Sequence, residues 1–231
     1  MQGRRGLITG LLAGTGAALI ATSPARAQNV KLVANSASKW VQPNAIPNVE
    51  VFNQAGRKLG FYDDLIKNKV VLVNAFFAEC GEVCPLVTDN LKKVYAMFGG
   101  RVGRDLHMIS ISLKPDRDSP ELLKQFAEVY GIGPGWQLLT GKPADMLAVR
   151  KSLGFSDPDP AIDANADNHT GILRYGNDTL KRWGGCPALG RPEGIYFSVT
   201  TSVMDAGIGK PAVPPAESNE PNHSHHQHNK T

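Results

Sequence analysis

The sequence predicts an α/β fold in which a central mixed sheet is flanked by helices. Along the middle of the chain, short apolar runs that are typical of buried strands alternate with segments of helical periodicity. Glycine and proline mark many of the boundaries between these segments. A candidate hairpin and a last helix complete the pattern. Strands that alternate with helices in this way indicate a layered sandwich around one core.

The first strands and the first helix surround one apolar run. A short strand is predicted at 49–52, and a turn at 56–60 follows it. Residues 70–77 are rich in branched and aromatic side chains, which predicts a buried strand. Helical periodicity then continues over about 85–98, where two glycines end the helix.

Two further pairs of a strand and a helix follow. Apolar residues alternate along 106–113, so this segment is predicted to be a second buried strand. A serine cap and a proline at the first position begin a helix over 120–130. A short strand at 136–139 precedes a helix at 143–153, which a glycine closes.

The last elements are less regular. Turn-forming residues dominate 156–168 and predict an exposed loop. Segments 171–175 and 179–183 flank a Gly-Asn-Asp turn and predict a β-hairpin. Residues 192–204 suit a final helix, although alternating apolar residues there also suit a strand. Taken in order, the elements describe an α/β sandwich of thioredoxin type.

The chain divides into four predicted regions. Residues 1–27 have the features of an export signal, with paired arginines, a weakly apolar stretch and a small-x-small cleavage pattern ending at Ala27. The paired arginines fit general or twin-arginine export, and an uncleaved signal would leave the protein associated with a membrane. A flexible lead-in at 28–47 and a folded domain at 48–207 follow. Residues 208–231 are predicted to be a disordered, histidine-rich tail.

Charge and cysteine content limit the classes of function. The signal contains three arginines and no acidic residue, so its removal lowers the formal charge from +4 to +1. A nearly neutral domain without a basic stripe argues against nucleic acid as a partner. Three cysteines are too few for a disulfide network in an exported protein. They suggest one functional pair and one additional thiol.

Two cysteines mark the junction between the 70–77 strand and the helix after it. Cys80 and Cys84 lie near the predicted helix N-terminus, where partial positive charge favours the thiolate form. Such thiolates exchange disulfides or bind a soft metal. A helical i,i+4 spacing would place both sulfurs on one face, where they could hold one ion or close a disulfide. A disulfide has no thiolate to give, so metal loading in an oxidising compartment requires a thiol reductant or rapid delivery.

Three segments share a family pattern. Residues 76–87 read Phe-Phe-Ala-Glu-Cys-Gly-Glu-Val-Cys-Pro-Leu-Val and contain C-x-x-x-C-P. Residues 109–120 read Ile-Ser-Ile-Ser-Leu-Lys-Pro-Asp-Arg-Asp-Ser-Pro, and an Asn-His-Thr segment at 168–170 precedes the hairpin. Together they resemble the Sco/SenC family over about residues 48–203. Three motifs in the right order are more specific than the cysteine pattern alone.

The resemblance implies a thioredoxin-like fold that binds one copper ion through Cys80, Cys84 and His169. Two thiolates and an imidazole are a soft, low-coordinate set suited to Cu(I), and the histidine helps to accept Cu(II). Combined with the export signal, it implies a periplasmic metallochaperone that assists assembly of the copper centre of cytochrome c oxidase or a related copper enzyme. Its partner would be the copper-accepting subunit of the oxidase or another copper protein. We expect a largely exposed site that passes copper by ligand exchange.

Some positions depart from the family pattern or lie outside it. Gly81 stands where many members have proline, and Asn168 stands where aspartate is usual. Neither change removes a ligand, but Asn168 takes away a charge that would tune the imidazole of His169. Cys186 is not part of the pattern. It is a buried thiol, a resolving cysteine or an intermolecular partner, and the first of these is the favoured interpretation.

Other polar residues near the motifs have ordinary structural interpretations. His107 lies within a strand and is expected to be packed rather than to bind metal. Asp116 and Asp118 either accept hydrogen bonds near the site or simply solvate the turn that precedes the Ser119 cap. The simpler interpretation is favoured.

The tail holds four of the six histidines. Clustered imidazoles on a flexible segment bind Cu(II), Ni(II) or Zn(II) with modest selectivity. The tail is therefore predicted to be an auxiliary metal-collecting segment, through His223, His225, His226 and His228.

Other functions of the cysteine pair remain alternatives. A thiol–disulfide oxidoreductase would cycle Cys80 and Cys84 without a metal, and only in that case would they be catalytic residues. Reductases of thioredoxin type generally use C-x-x-C, so the additional residue and His169 favour copper. A peroxidase needs an arginine and a hydroxyl around the attacking thiolate, which the sequence does not place. A structural disulfide is the simplest alternative, but Pro85 and the strand–helix junction favour a redox or metal site.

Overall fold

A seven-stranded mixed sheet forms the centre of the protein in the computed structural model, which describes residues 46–79, 83–169 and 171–204. The predicted export signal, nearly all of the lead-in and the histidine-rich tail lie outside these residues. The strands are β1 Glu50–Asn53, β2 Lys58–Gly60, β3 Val70–Phe76, β4 His107–Ser112, β5 Trp136–Gly141, β6 Ile172–Asn177 and β7 Arg182–Pro187. The helices are α1 Val83–Phe98, α2 Pro120–Tyr130, α3 Pro143–Leu153, α4 Pro160–Asp163 and α5 Pro192–Ser202. Shorter helical turns are a π-helical turn at Phe61–Ile66 and 3₁₀ turns at Gly99–Arg101 and Ala166–His169.

The order of the strands across the sheet is β2-β1-β5-β4-β3-β6-β7. The three central strands, β3, β4 and β5, are parallel, and α1 and α2 form the crossovers that parallel neighbours require. The outer strands pair antiparallel. α1 packs against α5, whereas α2 and α3 pack against strands of the sheet. The predicted α/β fold, a mixed sheet flanked by helices, is confirmed.

Most helix boundaries follow from local sequence signals. The Ser119 hydroxyl caps α2 by accepting a hydrogen bond from the Leu122 N–H at 3.3 Å. Gly131 and Gly154 end α2 and α3 in the left-handed conformation, as C-capping glycines do. α1 begins at Val83, two residues before the predicted start, so Cys84 belongs to the helix itself. In the described part of the chain, no helix is both long and apolar enough to cross a bilayer.

The predicted exposed loop at 156–168 is partly wrong. Its residues form α4 and the 3₁₀ turn that ends at His169. Asp159 caps α4, because its carboxylate accepts a hydrogen bond from the Ala161 N–H at 2.9 Å. Pro160 occupies the first helical position. An Asp-Pro pair therefore starts a helix here, although the same pair also favours turns.

The predicted hairpin is confirmed, but its turn lies later in the chain. β6 and β7 pair up to Asn177 and Arg182, so residues 178–181 form the turn. Gly176 is a strand residue, and a side chain at this position would collide with the ring of Trp183. Gly176 therefore makes room for the Trp183 ring and is not part of the turn. The prediction took this glycine as a turn residue and so placed the turn too early.

The interior of the sheet contains one chain of buried hydrogen bonds. The Trp136 indole Nε1–H donates to the Ser110 hydroxyl at 2.9 Å, and that hydroxyl donates to Asn74 Oδ1 at 2.6 Å. The three residues lie on β5, β4 and β3 in turn, so the bonds connect all three parallel strands. All three residues are buried, and the hydrogen bonds give their polar atoms partners inside the core.

Two glycines allow the backbone before β5 to approach the backbone before β4. Gly135 has φ +80° and Gly103 has φ +87°. A Cβ on Gly135 would lie 2.5 Å from the Gly103 Cα and still closer to its nitrogen. The Gly135 carbonyl also accepts a hydrogen bond from the Met108 N–H at 3.0 Å, so this approach fixes the start of the β4–β5 ladder.

Candidate metal centre

The described candidate ligands lie at one end of the sheet. β3 ends at Phe76, and the cysteine segment, residues 80–84, follows it. β6 runs antiparallel to β3 with Leu173 opposite Asn74, so β6 starts beside the end of β3. The 3₁₀ turn that carries His169 packs against β3. His169 and the described start of α1 therefore both lie near the carboxyl end of β3.

Cys84 lies in the first turn of α1, and 1% of the residue is exposed. The helix has 16 residues, and the partial positive charge at its N-terminus favours a thiolate there. Cys80 lies outside the described residues, so the distance between the two sulfurs remains a prediction. Within the described ranges, no three His, Cys, Asp or Glu side chains are grouped to hold a metal ion. Of the three predicted ligands, those ranges contain Cys84 and His169.

His169 is buried, with 6% of the residue exposed. Its Nε2 lies 3.1 Å from the Asp163 Oδ1 and 3.2 Å from the Asp163 main-chain oxygen. The same carboxylate oxygen binds Arg150 Nη2 at 3.1 Å. The expectation of a largely exposed site is therefore wrong for the two described ligands, because Cys84 is 1% exposed and His169 is 6% exposed.

Asp118 supports the main chain that leads to the cysteine segment. It is 1% exposed, and its carboxylate accepts hydrogen bonds from the Ala78 N–H at 3.1 Å and from the Ser112 hydroxyl. Burial raises the pKa of this carboxyl, and the two hydrogen bonds oppose the shift. The favoured interpretation of Asp118 as a solvated turn residue is wrong, whereas Asp116 is exposed as that interpretation requires.

Replacing Asp118 with alanine should lower the free energy of unfolding by about 1–3 kcal/mol, because the Ala78 N–H and the Ser112 hydroxyl lose their buried acceptor. The matched control is Asp116→Ala, which should change stability by no more than about 0.5 kcal/mol. Urea titration monitored by circular dichroism measures both. Equal stabilities of the two variants would contradict the role assigned to Asp118.

The pH dependence of this contribution has a defined sign. A carboxyl whose pKa is higher in the folded state binds protons more readily when folded. Asp118 should therefore contribute more stability as the pH falls through its raised pKa, and the full contribution is reached below the ordinary pKa of an unfolded aspartate. The difference in stability between wild type and Asp118→Asn, followed over that range, measures it.

Two cations lie beside the segment before Cys80. Lys114 Nζ is 3.8 Å from the centre of the Phe77 ring, a cation–π contact. Arg117 Nη1 is 3.5 Å from Glu79 Oε2, and both of these side chains are well exposed. Lys114 and Arg117 also line a cavity of about 490 Å³ together with Arg150. Asp116 and Asp163 line the same cavity, so cationic and anionic side chains are mixed there.

Cys186 lies on β7 opposite Leu173. Burial raises the pKa of its thiol to about 11, although the nearby Arg174 guanidinium acts in the opposite direction. The thiol is therefore protonated at neutral pH, as expected for an unreactive cysteine, but the residue is half-buried rather than buried as predicted. It shares a cavity of about 510 Å³ with His169, at the same end of the sheet.

Comparison with known proteins identifies the family. The SCO1/SenC family model matches residues 44–170, more than half of the chain and the segment that contains the cysteine pair and His169. This chain belongs to the SCO1/SenC family. The predicted resemblance is thereby confirmed.

Individual relatives of this SCO1/SenC protein are distant in sequence. A Stutzerimonas stutzeri protein, to which copper binding is ascribed, is 25% identical over 161 residues, which cover 68% of this chain and 76% of the relative. Yeast Sco1 with copper bound is 17% identical with a TM-score of 0.53, over 66% of this chain and 87% of that structure. BsSco, described as having a disulfide switch and as a member of the Sco family of cytochrome c oxidase assembly proteins, is 21% identical with a TM-score of 0.54, over 68% and 92% of the two chains. These likenesses confirm the thioredoxin-like fold.

Sequence reasoning missed three residues of this region. Asp163 and Arg150 were hidden because contact with His169 depends on how α4 folds back, and α4 was predicted to be loop. The Asp-Pro pair at 159–160 was the available signal for that helix. Lys114 lies inside a recognised motif, but its position over Phe77 depends on the tertiary structure.

Proposed function

We propose that this SCO1/SenC protein is a copper metallochaperone that holds one copper ion through Cys80, Cys84 and His169. The observation that carries the proposal is the convergence of the His169 turn and the start of α1 at the carboxyl end of β3. Copper is bound in the similar structure of yeast Sco1 and is ascribed to the Stutzerimonas stutzeri relative, which supports the choice of metal. Two thiolates and one imidazole suit Cu(I), and the imidazole extends the set towards Cu(II).

The proposed partner is the copper-accepting subunit of cytochrome c oxidase or a related copper protein. The description of BsSco as a member of a family of oxidase assembly proteins supports this choice. Copper is cargo in this scheme. Acceptor thiolates would attack the open position of the three-ligand site and displace Cys80 and Cys84 one at a time. A thiol reductant keeps both cysteines available, because a disulfide between them cannot bind the ion.

The proposal includes a location and a role for the tail. Residues 1–27 direct export to the periplasm, with cleavage near Ala27 or retention as an anchor. The mature domain then works in an oxidising compartment, where its thiols can form disulfides. The tail collects copper for this domain through His223, His225, His226 and His228.

The test replaces His169 with alanine in a full chain whose four tail histidines are also alanine. Copper bound by the tail then cannot hide the loss of copper binding at the domain. We expect a stoichiometry of one copper per reduced wild-type domain. We expect His169→Ala to lose the Cu(II) absorption bands and about 10- to 100-fold or more in affinity. Metal analysis and absorption titration measure both quantities. Unchanged affinity and spectra would overturn His169 as a ligand.

A thiol–disulfide oxidoreductase is the second candidate function. The position of Cys84 at the N-terminus of α1 favours it, because the helix N-terminus favours a thiolate, although the burial of Cys84 acts in the opposite direction. The disulfide switch described for BsSco also supports redox chemistry of such a pair. His169→Ala separates the candidates, since reductase turnover on an oxidised acceptor needs the two sulfurs and no imidazole.

A further inference from the structure

The contacts of His169 indicate which ring nitrogen carries a proton. Nε2 lies within hydrogen-bonding distance of two oxygens, the Asp163 Oδ1 at 3.1 Å and the Asp163 main-chain oxygen at 3.2 Å. A carbonyl oxygen can only accept a hydrogen bond, and an ionised carboxylate oxygen can only accept one as well. Nε2 must therefore be the donor. In the neutral ring, the lone pair then belongs to Nδ1.

Asp163 is itself held in place by several contacts. Its Oδ1 accepts hydrogen bonds from Arg150 Nη2 at 3.1 Å and from the Asp157 N–H at 2.9 Å. Arg150 also donates through Nε to the Phe155 carbonyl at 3.2 Å, so the guanidinium is fixed at both ends. A carboxylate with this many contacts does not rotate freely, and it imposes its position on the imidazole.

Asn168 contributes a separate contact to the same arrangement. Its Nδ2 donates to the Ile162 carbonyl at 3.0 Å, which ties the 3₁₀ turn to α4. An aspartate at position 168 could not donate this hydrogen bond. Position 168 therefore carries no charge, but Asp163 brings a carboxylate to the ring from six residues earlier.

We propose that Asp163 is a positioning residue for copper binding, which fixes His169 as the Nε2–H tautomer and so leaves Nδ1 as the nitrogen that can bind the ion. The proposal rests on the proposed function, because it assumes that His169 is a ligand. Arg150 acts one step further away, by holding the Asp163 carboxylate. Binding through Nε2 would instead require His169 to leave both Asp163 oxygens, and this rotation would leave the Asp163 carboxylate with only its Arg150 and Asp157 contacts.

The first measurement needs no copper. With the four tail histidines replaced by alanine, only His107 and His169 remain in the full chain, and His169→Ala assigns their signals. Long-range ¹H–¹⁵N correlation spectra of the reduced protein, in buffer well above the ordinary histidine pKa of about 6.5, report the tautomer. We expect the proton on Nε2 in the wild type and a mixture of tautomers in Asp163→Ala. A proton on Nδ1, or on both nitrogens, in the wild type would overturn the proposal.

The second measurement is copper affinity of the same chains, by competition with a chelator for Cu(I) and by absorption for Cu(II). We expect Asp163→Ala to lose about 10- to 100-fold in affinity, as removal of a partner behind a metal-binding histidine does. The matched control is Asp159→Ala, which removes the cap of α4 but leaves both Asp163 oxygens. It should keep affinity within about threefold, since a lost cap costs helix stability and no contact to the ring.

The outcomes separate this inference from the proposed function. If His169→Ala loses affinity and Asp163→Ala does not, the metallochaperone proposal stands and the positioning role is overturned. If Asp159→Ala loses as much as Asp163→Ala, the effect comes from the fold of α4 and the positioning role is again overturned. If His169→Ala keeps full affinity, the histidine is no ligand, and both proposals fail together.

Discussion

Replacing Cys84 with serine should lower the Cu(I) affinity of the reduced protein by more than about 100-fold. Removing a residue that hydrogen-bonds to a metal ligand costs about 10- to 100-fold in affinity, and loss of the ligand itself should cost more. A hydroxyl is a hard donor that Cu(I) accepts poorly. Serine has nearly the size of cysteine, so the packed first turn of α1 should be retained. Competition titration with a Cu(I) chelator, in the chain with the tail histidines replaced, gives the affinity.

The control for Cys84→Ser is Cys186→Ser at the same end of the sheet. The Cys186 thiol is protonated at neutral pH because burial raises its pKa to about 11, and it is not one of the proposed ligands. Its replacement should leave Cu(I) affinity within a factor of about two, because a protonated thiol that is not a ligand gives the ion no bond to lose. Retained affinity in Cys84→Ser, or equal losses in both variants, would contradict the assignment of Cys84. Thermal unfolding of both variants shows whether the domain keeps its stability.

The second large effect concerns stability. Replacing Gly135 with alanine should lower the free energy of unfolding by about 3 kcal/mol or more, since it combines a left-handed backbone with a steric clash. The added Cβ would lie 2.5 Å from the Gly103 Cα, and the backbone φ there is +80°. The Gly103 backbone cannot move away without disturbing its hydrogen bond to the Leu106 carbonyl at 2.7 Å.

Gly131 provides the matched control for this effect. Its φ is +62°, but a Cβ there would meet no atom within 4 Å. Gly131→Ala should therefore cost only the conformational strain, about 1–2 kcal/mol. Chemical denaturation of the two variants side by side separates the clash from the strain. If both variants lost the same free energy of unfolding, the predicted clash between position 135 and Gly103 would be wrong.

The elements that the sequence predicts well have local causes. The strand at β3 and the caps of α2 and α3 depend on residues within a few positions of one another, such as Ser119 and the Leu122 N–H. The hairpin turn was placed too early because Gly176 has a role that depends on Trp183 across the ladder. Glycine occurs both in turns and where another side chain packs closely against the backbone. The two cases can be distinguished only when the residue on the paired strand is known.

The candidate site divides in the same way. The cysteine pair and His169 are recognisable because their spacing and motif context are carried by the sequence. Their surroundings are not, because Asp118 reaches Ala78 across 40 residues and Arg150 reaches Asp163 through the fold of α4. Burial of Cys84 and His169 was missed for the same reason. Exposure depends on which elements cover a residue.

If the protein holds copper as proposed, the burial of Cys84 and His169 also affects how fast the ion can leave. An incoming thiol must touch the metal before it can displace a ligand, and 1% exposure of Cys84 leaves it little approach from that side. We expect the turn that carries His169, a short 3₁₀ segment, to open first. The rate of copper transfer would then depend on how often this turn opens, and not on the exchange of sulfur ligands. An acceptor that pulled the turn open on docking would act as the trigger for release.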